Sequence, residues 1–206
     1  MIKRICIMTK SLKDHDYCVA GIDLQNGAWV RLVSSKDGGA FQKALLDDMD
    51  INVLDVVQVR LKGRVQFETQ TENWLVDYDM PINKVGSKTL AQIITLRGID
   101  KPKYIFENSK NELTNGEAKN LNHSLEMVFV NNVTFDTCVK GDGKNHHKIC
   151  FDYNGENYKL ALTDPKLRID KLDSWQMPSA TIIVSIPPIP YGDNQTYYKF
   201  VAKVFF

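Results

Sequence analysis

Trp29 and Arg31 stand two apart in the run Ala28-Trp-Val-Arg-Leu-Val33. On a strand they share a face. An aromatic ring that stacks a base, beside a guanidinium that meets phosphate, is a means of holding a single nucleic-acid strand. The same spacing also suits a Trp29 packed in a core with Ile22 and Leu24, with Arg31 paired to an acid at the rim. Arg60, Lys62 and Arg64 alternate with other residues and form a basic row if the strand runs on past Gly63. A groove that tracks phosphates needs such a row, and a solvated outer face has the same pattern. Near the end of the chain Tyr197, Lys199 and Lys203 repeat the aromatic and basic combination.

Lys140-Gly-Asp-Gly-Lys-Asn-His-His-Lys148 is a glycine-rich, mostly basic loop. Its backbone amides and Lys144 are suited to phosphate, although the spacing is not that of a P-loop. Thr9-Lys-Ser-Leu-Lys-Asp-His-Asp16 fills the corresponding place upstream. Signals for catalysis are thin. Asp14-His15-Asp16 offers a carboxylate–imidazole cluster that fits metal binding or proton shuttling. His146 and His147 are neighbours and point opposite ways on a strand. No zinc-protease helix, nucleophile elbow or paired-acid signature accompanies them. The expectation is a protein that is not an enzyme and needs no cofactor and no metal.

The frame that positions these groups is read from a repeat. Cys18 to Val33 reads as strand, Asn26-Gly27 turn, strand, and Ile149 to Leu162 reads the same way around Asn154-Gly155. Asn-Gly tolerates the positive φ of a tight hairpin turn. In each copy a second cysteine lies twelve residues upstream, Cys6 before Cys18 and Cys138 before Cys150. If Asn154-Gly155 is a two-residue turn, Ile149, Phe151, Tyr158, Leu160 and Leu162 share one face, and Cys150, Asp152, Lys159 and Ala161 the other. Further strands are expected at 2–9, 53–62, 74–77, 125–139 (bent at Asn131-Asn132), 180–186 and 197–206. Helices are few. One is expected from a Ser87 cap to Arg97-Gly98, a short one from the Thr114–Glu117 capping box, and a helical turn over 39–46.

Short strands, hairpins and an occasional helix between strands suit the five-stranded barrel called the oligonucleotide/oligosaccharide-binding (OB) fold. The chain is therefore expected to be mostly β with a few short helices. It would form two tandem OB-like five-stranded barrels, 1–97 and 123–206, with 98–122 as connector. A length of 206 residues is enough for two such cores. With 26 basic and 25 acidic residues the net charge is +1, which argues against a strongly basic nucleic-acid binder without excluding one basic face. No apolar stretch nears the roughly 20 residues of a spanning helix, so no membrane is expected. The start of the chain is too short in apolar residues for a signal segment. Together these place the protein in the cytoplasm, with its cysteines reduced.

Tyr17-Cys-Val-Ala-Gly-Ile-Asp-Leu-Gln-Asn-Gly-Ala-Trp-Val-Arg-Leu-Val-Ser34 resembles the opening of a prokaryotic family of dual OB-containing domains. Tyr197-Tyr-Lys-Phe-Val-Ala-Lys-Val204 is similar to that family's closing strand. Where the family has a serine-leucine-glycine-glutamate-proline run before it, this chain has Ser185-Ile-Pro-Pro188. The resemblance implies a nucleic-acid or nucleotide-related binding role in bacterial conflict or defence systems and supplies no catalytic residues. The expected partner is single-stranded DNA or RNA, held by Trp29, Arg31, Arg60, Lys62, Arg64, Lys144, Tyr197 and Lys199. The alternatives are a nucleotide-like small ligand in a sensor domain and a partner protein.

Overall fold

The structure, a computed structural model, describes residues 1–13, 16–41, 43–139, 145–169 and 176–206. It divides into two compact units, Met1–Gly98 and Ile99–Phe206. The first contains β1 (Ile2–Lys13), β2 (Asp16–Asp23), β3 (Trp29–Val33), α1 (Lys43–Asp48), β4 (Asp55–Arg64), β5 (Asn73–Val76), β6 (Asn83–Ser87) and α2 (Leu90–Arg97). Its strands run in the order β1-β2-β3-β5-β4, and β4 pairs back onto β1 to close a five-stranded ring. The β3–β5 pair is parallel. Val57, Val59 and Leu61 of β4 enter the core with Ile5, Val30 and Leu32, as their alternation predicts.

The second unit contains a 3₁₀ turn (Ile105–Glu107), β7 (Glu112–Leu113), α3 (Asn115–Asn120), β8 (Leu125–Val139), β9 (Asn145–Tyr153) and β10 (Glu156–Leu162). α4 (Pro165–Ile169), β11 (Gln176–Ser185), β12 (Tyr197–Tyr198) and β13 (Phe200–Phe205) complete it. Here β8-β9-β10-β13-β11 closes into a barrel, again with one parallel pair, β10–β13. Strand order, parallel pair and the helix after the third strand are thus the same in both units. That is the OB arrangement, twice.

The two hairpins differ. Asn154 and Gly155 have φ of 50° and 84°, and Tyr153 pairs directly with Glu156. The tight turn is as expected, and Ile149, Phe151, Tyr158, Leu160 and Leu162 all enter the core. The first hairpin is wider. The Asp23 carbonyl accepts from Asn26 N–H and Gly27 N–H, and its carboxylate accepts from Gln25 N–H at 3.0 Å. A two-residue Asn26-Gly27 turn would set Leu24 opposite Trp29; this wider turn shifts the register, and Ile22 lies there instead.

Residues 98–122 are no bare connector. Ile105, Phe106, Leu113, Ala118 and Leu121 all join the core of the second barrel. The segment looked like a linker because its apolar residues are scattered among polar ones rather than set at a regular period. Thr114 and Glu117 do form the expected capping box, and α2 starts from Thr89 rather than Ser87. The Asp14-His15 pair, the loop 140–144 with Lys144, and Trp175 lie outside the described residues.

Candidate nucleic-acid interface

In the first barrel Val30 and Leu32 fill the core, so Trp29 and Arg31 point outward together, as their spacing requires. Arg31 is buried and Trp29 half-buried. Arg31 is only 5% exposed and faces Glu72 across 3.7 Å. A carboxylate already occupies the place a phosphate would take. Trp29 is partly covered, and the Arg97 guanidinium at the end of α2 lies 4.7 Å over its ring. Gly27 permits this approach: a Cβ there would stand 3.2 Å from the Cβ of Arg97. The phosphate role of Arg31 is therefore corrected, and a stacking role for Trp29 meets a site already filled by Arg97.

The basic row of β4 is present. Arg60, Lys62 and Arg64 are all exposed. Asp77 partly neutralises it, lying 3.1 Å from Arg60 and 3.6 Å from Lys62. Past a register shift at Gly63, Arg64 donates to the Thr71 carbonyl and lies 5.8 Å from the Trp74 ring.

In the second barrel the two residues of the closing segment expected to meet a ligand, Tyr197 and Lys199, lie on its inward side. Tyr197 and Lys199 are each 1% exposed. Tyr197 and Val201 pack in the core, and Lys199 lies on the same side. The Lys199 ammonium donates to the carbonyls of Ile105, Asn108 and Lys110 at 2.7, 2.6 and 2.6 Å. The Tyr158 hydroxyl accepts from Ile105 N–H at 3.3 Å and donates to the Asn108 carbonyl at 3.2 Å. Burial pushes the Lys199 ammonium down to about 8, against the opposing pull of Glu126 and Glu117. Lys199 thus pins the 105–110 segment, and both proposed contacts, stacking by Tyr197 and phosphate binding by Lys199, are corrected.

The outward residues are Tyr198, 43% exposed, and Phe200. The Tyr191 ring lies 6.1 Å from each. Phe200 is in register with Ala161 of β10, and Ala161 with Lys148 of β9. One step along the same outer face, Lys159 pairs with Cys150. Lys148 is half-buried and Lys159 exposed, the latter with Asp136 at 3.0 Å. Asn111 spans the gap between the two strands. Its side-chain oxygen accepts from Lys159 N–H at 3.0 Å and its carbonyl from Lys199 N–H at 3.1 Å. Lys148, Lys159, Tyr198 and Phe200 were not singled out in the sequence because pairing across strands, not residue type, brings them together. For Lys159 the alternation around Asn154-Gly155 carried the signal.

A recess of about 310 Å³ opens where β8 kinks, lined by Asn132, Val133, Thr134, Gln176, Met177 and Pro178. Asn132 has φ of 51° there, and the β8–β9 register shifts between Asn131 and Thr134. No helix among the described residues is long and apolar enough to cross a membrane. Cys6, Cys18 and Cys150 are free thiols.

Two closed OB barrels in one chain define a tandem OB-barrel protein. The chain belongs to the dual OB-containing domain family, whose model matches residues 3–204. No curated protein matches it. Among solved structures, a chain described under "Structural mimicry for functional antagonism" is 8% identical, with a TM-score of 0.43 over 97% of this chain and 88% of that one. A murine DNA-binding protein bound with double-stranded DNA is 5% identical, with a TM-score of 0.39 over 100% and 98%. The Ifi202 HINa domain in complex with 20-bp double-stranded DNA is 11% identical, with a TM-score of 0.37 over 100% and 94%. These likenesses are too loose to bear on what this chain binds.

Proposed function

We propose that the protein binds single-stranded nucleic acid without chemistry on it, in a bacterial conflict or defence setting, and that the second barrel is its principal contact. The observation that carries this reading is the outward β9–β10 face, which carries an exposed Lys159 and a half-buried Lys148. OB barrels take oligonucleotides on the face of their second and third strands, and in this barrel those are β9 and β10. In the first barrel the equivalent groups are filled by Glu72 and Arg97. Fluorescence anisotropy of short labelled DNA and RNA strands, titrated at two salt concentrations, tests the reading. Two phosphate contacts predict roughly a sevenfold loss of affinity for a fourfold rise in salt. Absence of binding at low salt contradicts it.

The recess at Asn132–Pro178 favours a second reading, a nucleotide-like small ligand. Its signature is a stoichiometric thermal shift with one nucleotide that salt scarcely alters.

A further inference from the structure

We propose that Tyr198 and Phe200 form a base-stacking subsite for unpaired nucleobases, beside the phosphate contacts of Lys148 and Lys159. The inference rests on the single-strand reading above and deepens it. Phe200 lies on the outer side of the fifth strand of the barrel, and Tyr198 in the short β12 that leads into it, in register with Glu112 of β7, while Tyr197 and Val201 face the core. Tyr198 makes a tilted contact with Tyr191 at 52°, and Tyr191 meets Phe200 edge-on at 68°. Neither contact is a parallel stack, so Tyr191 covers at most one face of each ring. Register places Phe200 beside Ala161 and Ala161 beside Lys148, so the small alanine separates the two positions on neighbouring strands. Lys159 stands two residues from Ala161 on the same face.

This juxtaposition commits to one occupant. The exposed Tyr198 ring and the half-buried Phe200 ring offer π-faces, and the adjoining lysines supply the positive charge that a phosphodiester backbone complements. A duplex hides its base faces in its own stack and presents only phosphates and groove edges. The subsite therefore selects for unpaired bases, and base–ring stacking is tolerant of sequence.

The test uses the full chain and three probes. These are a labelled oligothymidylate of about twelve nucleotides, within the span that OB barrels cover, an abasic strand of the same length, and the corresponding duplex. Native protein is expected to prefer the oligothymidylate over the abasic strand by roughly tenfold or more, and over the duplex as well. In the Tyr198→Ala, Phe200→Ala double variant the preference over the abasic strand disappears, while affinity for the abasic strand is unchanged. The Tyr198→Phe variant keeps the preference. A double variant that still prefers bases overturns the subsite while leaving the nucleic-acid reading intact. One that loses the abasic strand too shows that the rings hold the fold rather than a base, and also overturns it. If native protein binds none of the probes, the underlying reading falls first.

Discussion

Lys199 shows how far a residue's type can mislead about its work. Beside two tyrosines in a terminal strand it reads as a phosphate contact, yet all three of its donors go to backbone carbonyls of the 105–110 segment. Nothing local in the sequence announces this, because the carbonyls it serves lie about ninety residues away in the chain. Replacing it by methionine leaves buried acceptors unmatched and is expected to cost about 3 kcal/mol, read from denaturant unfolding. The pH dependence follows from its ammonium lying near 8 when folded, against an ordinary 10.5. Between those values the unfolded chain holds the proton and the folded chain does not, so stability rises with pH by up to about 1.4 kcal/mol per unit. Cys6 and Tyr158, both pushed up to about 12 by burial, act oppositely at higher pH. The measurement is therefore the difference between native protein and Lys199→Met across pH 8 to 10.5. That difference is expected to widen as pH rises. Arg31 teaches the same lesson more simply, since its partner Glu72 lies in the loop leading into β5 and is brought beside it by the β3–β5 pairing.

Among the elements, strands and hairpins were the most legible. Alternation placed Val57, Val59 and Leu61 inside and left Arg60 and Lys62 outside. The Asn154-Gly155 turn fixed the register of β9 against β10, and with it the face that carries Lys159. Where backbone geometry departs from simple alternation the sequence was silent. At the β11–β13 register shift, Ile183 pairs with Lys203 but Val184 with Val201, so Ala202 is the extra residue. The inward side therefore passes from Tyr197 and Val201 to Val204. Close strand approach is also invisible until Gly21 is built into β2. A Cβ there would lie 2.3 Å from the Cys6 carbonyl oxygen and 2.7 Å from Ile5 Cγ2. Gly21→Ala must push β1 and β2 apart and is expected to destabilise by about 3 kcal/mol. Gly116 in α3 has nothing within 4 Å of a built Cβ. The same change there is expected to stabilise by about 0.5–1 kcal/mol. Denaturation midpoints of the two variants, moving in opposite directions, check this.

At the level of the whole molecule, the repeat visible in the two Asn-Gly hairpins is a repeat of topology with unequal surfaces. Both units close as OB barrels with one parallel strand pair. The first turns its Trp29 and Arg31 toward its own Arg97 and Glu72. The second carries Lys159 and Tyr198 exposed and Lys148 and Phe200 half-buried on its outer side. The sequence showed the duplication but could not show the inequality, which depends on the end of α2 and the approach to β5 folding back onto the first barrel. Hydrogen–deuterium exchange of the full chain with and without a saturating oligothymidylate measures the consequence directly. The account predicts slowed exchange in β9, β10 and the 187–200 segment, with β2 and β3 unchanged. Slowed exchange confined to β2, β3 and β4, with the second barrel unaffected, would contradict it.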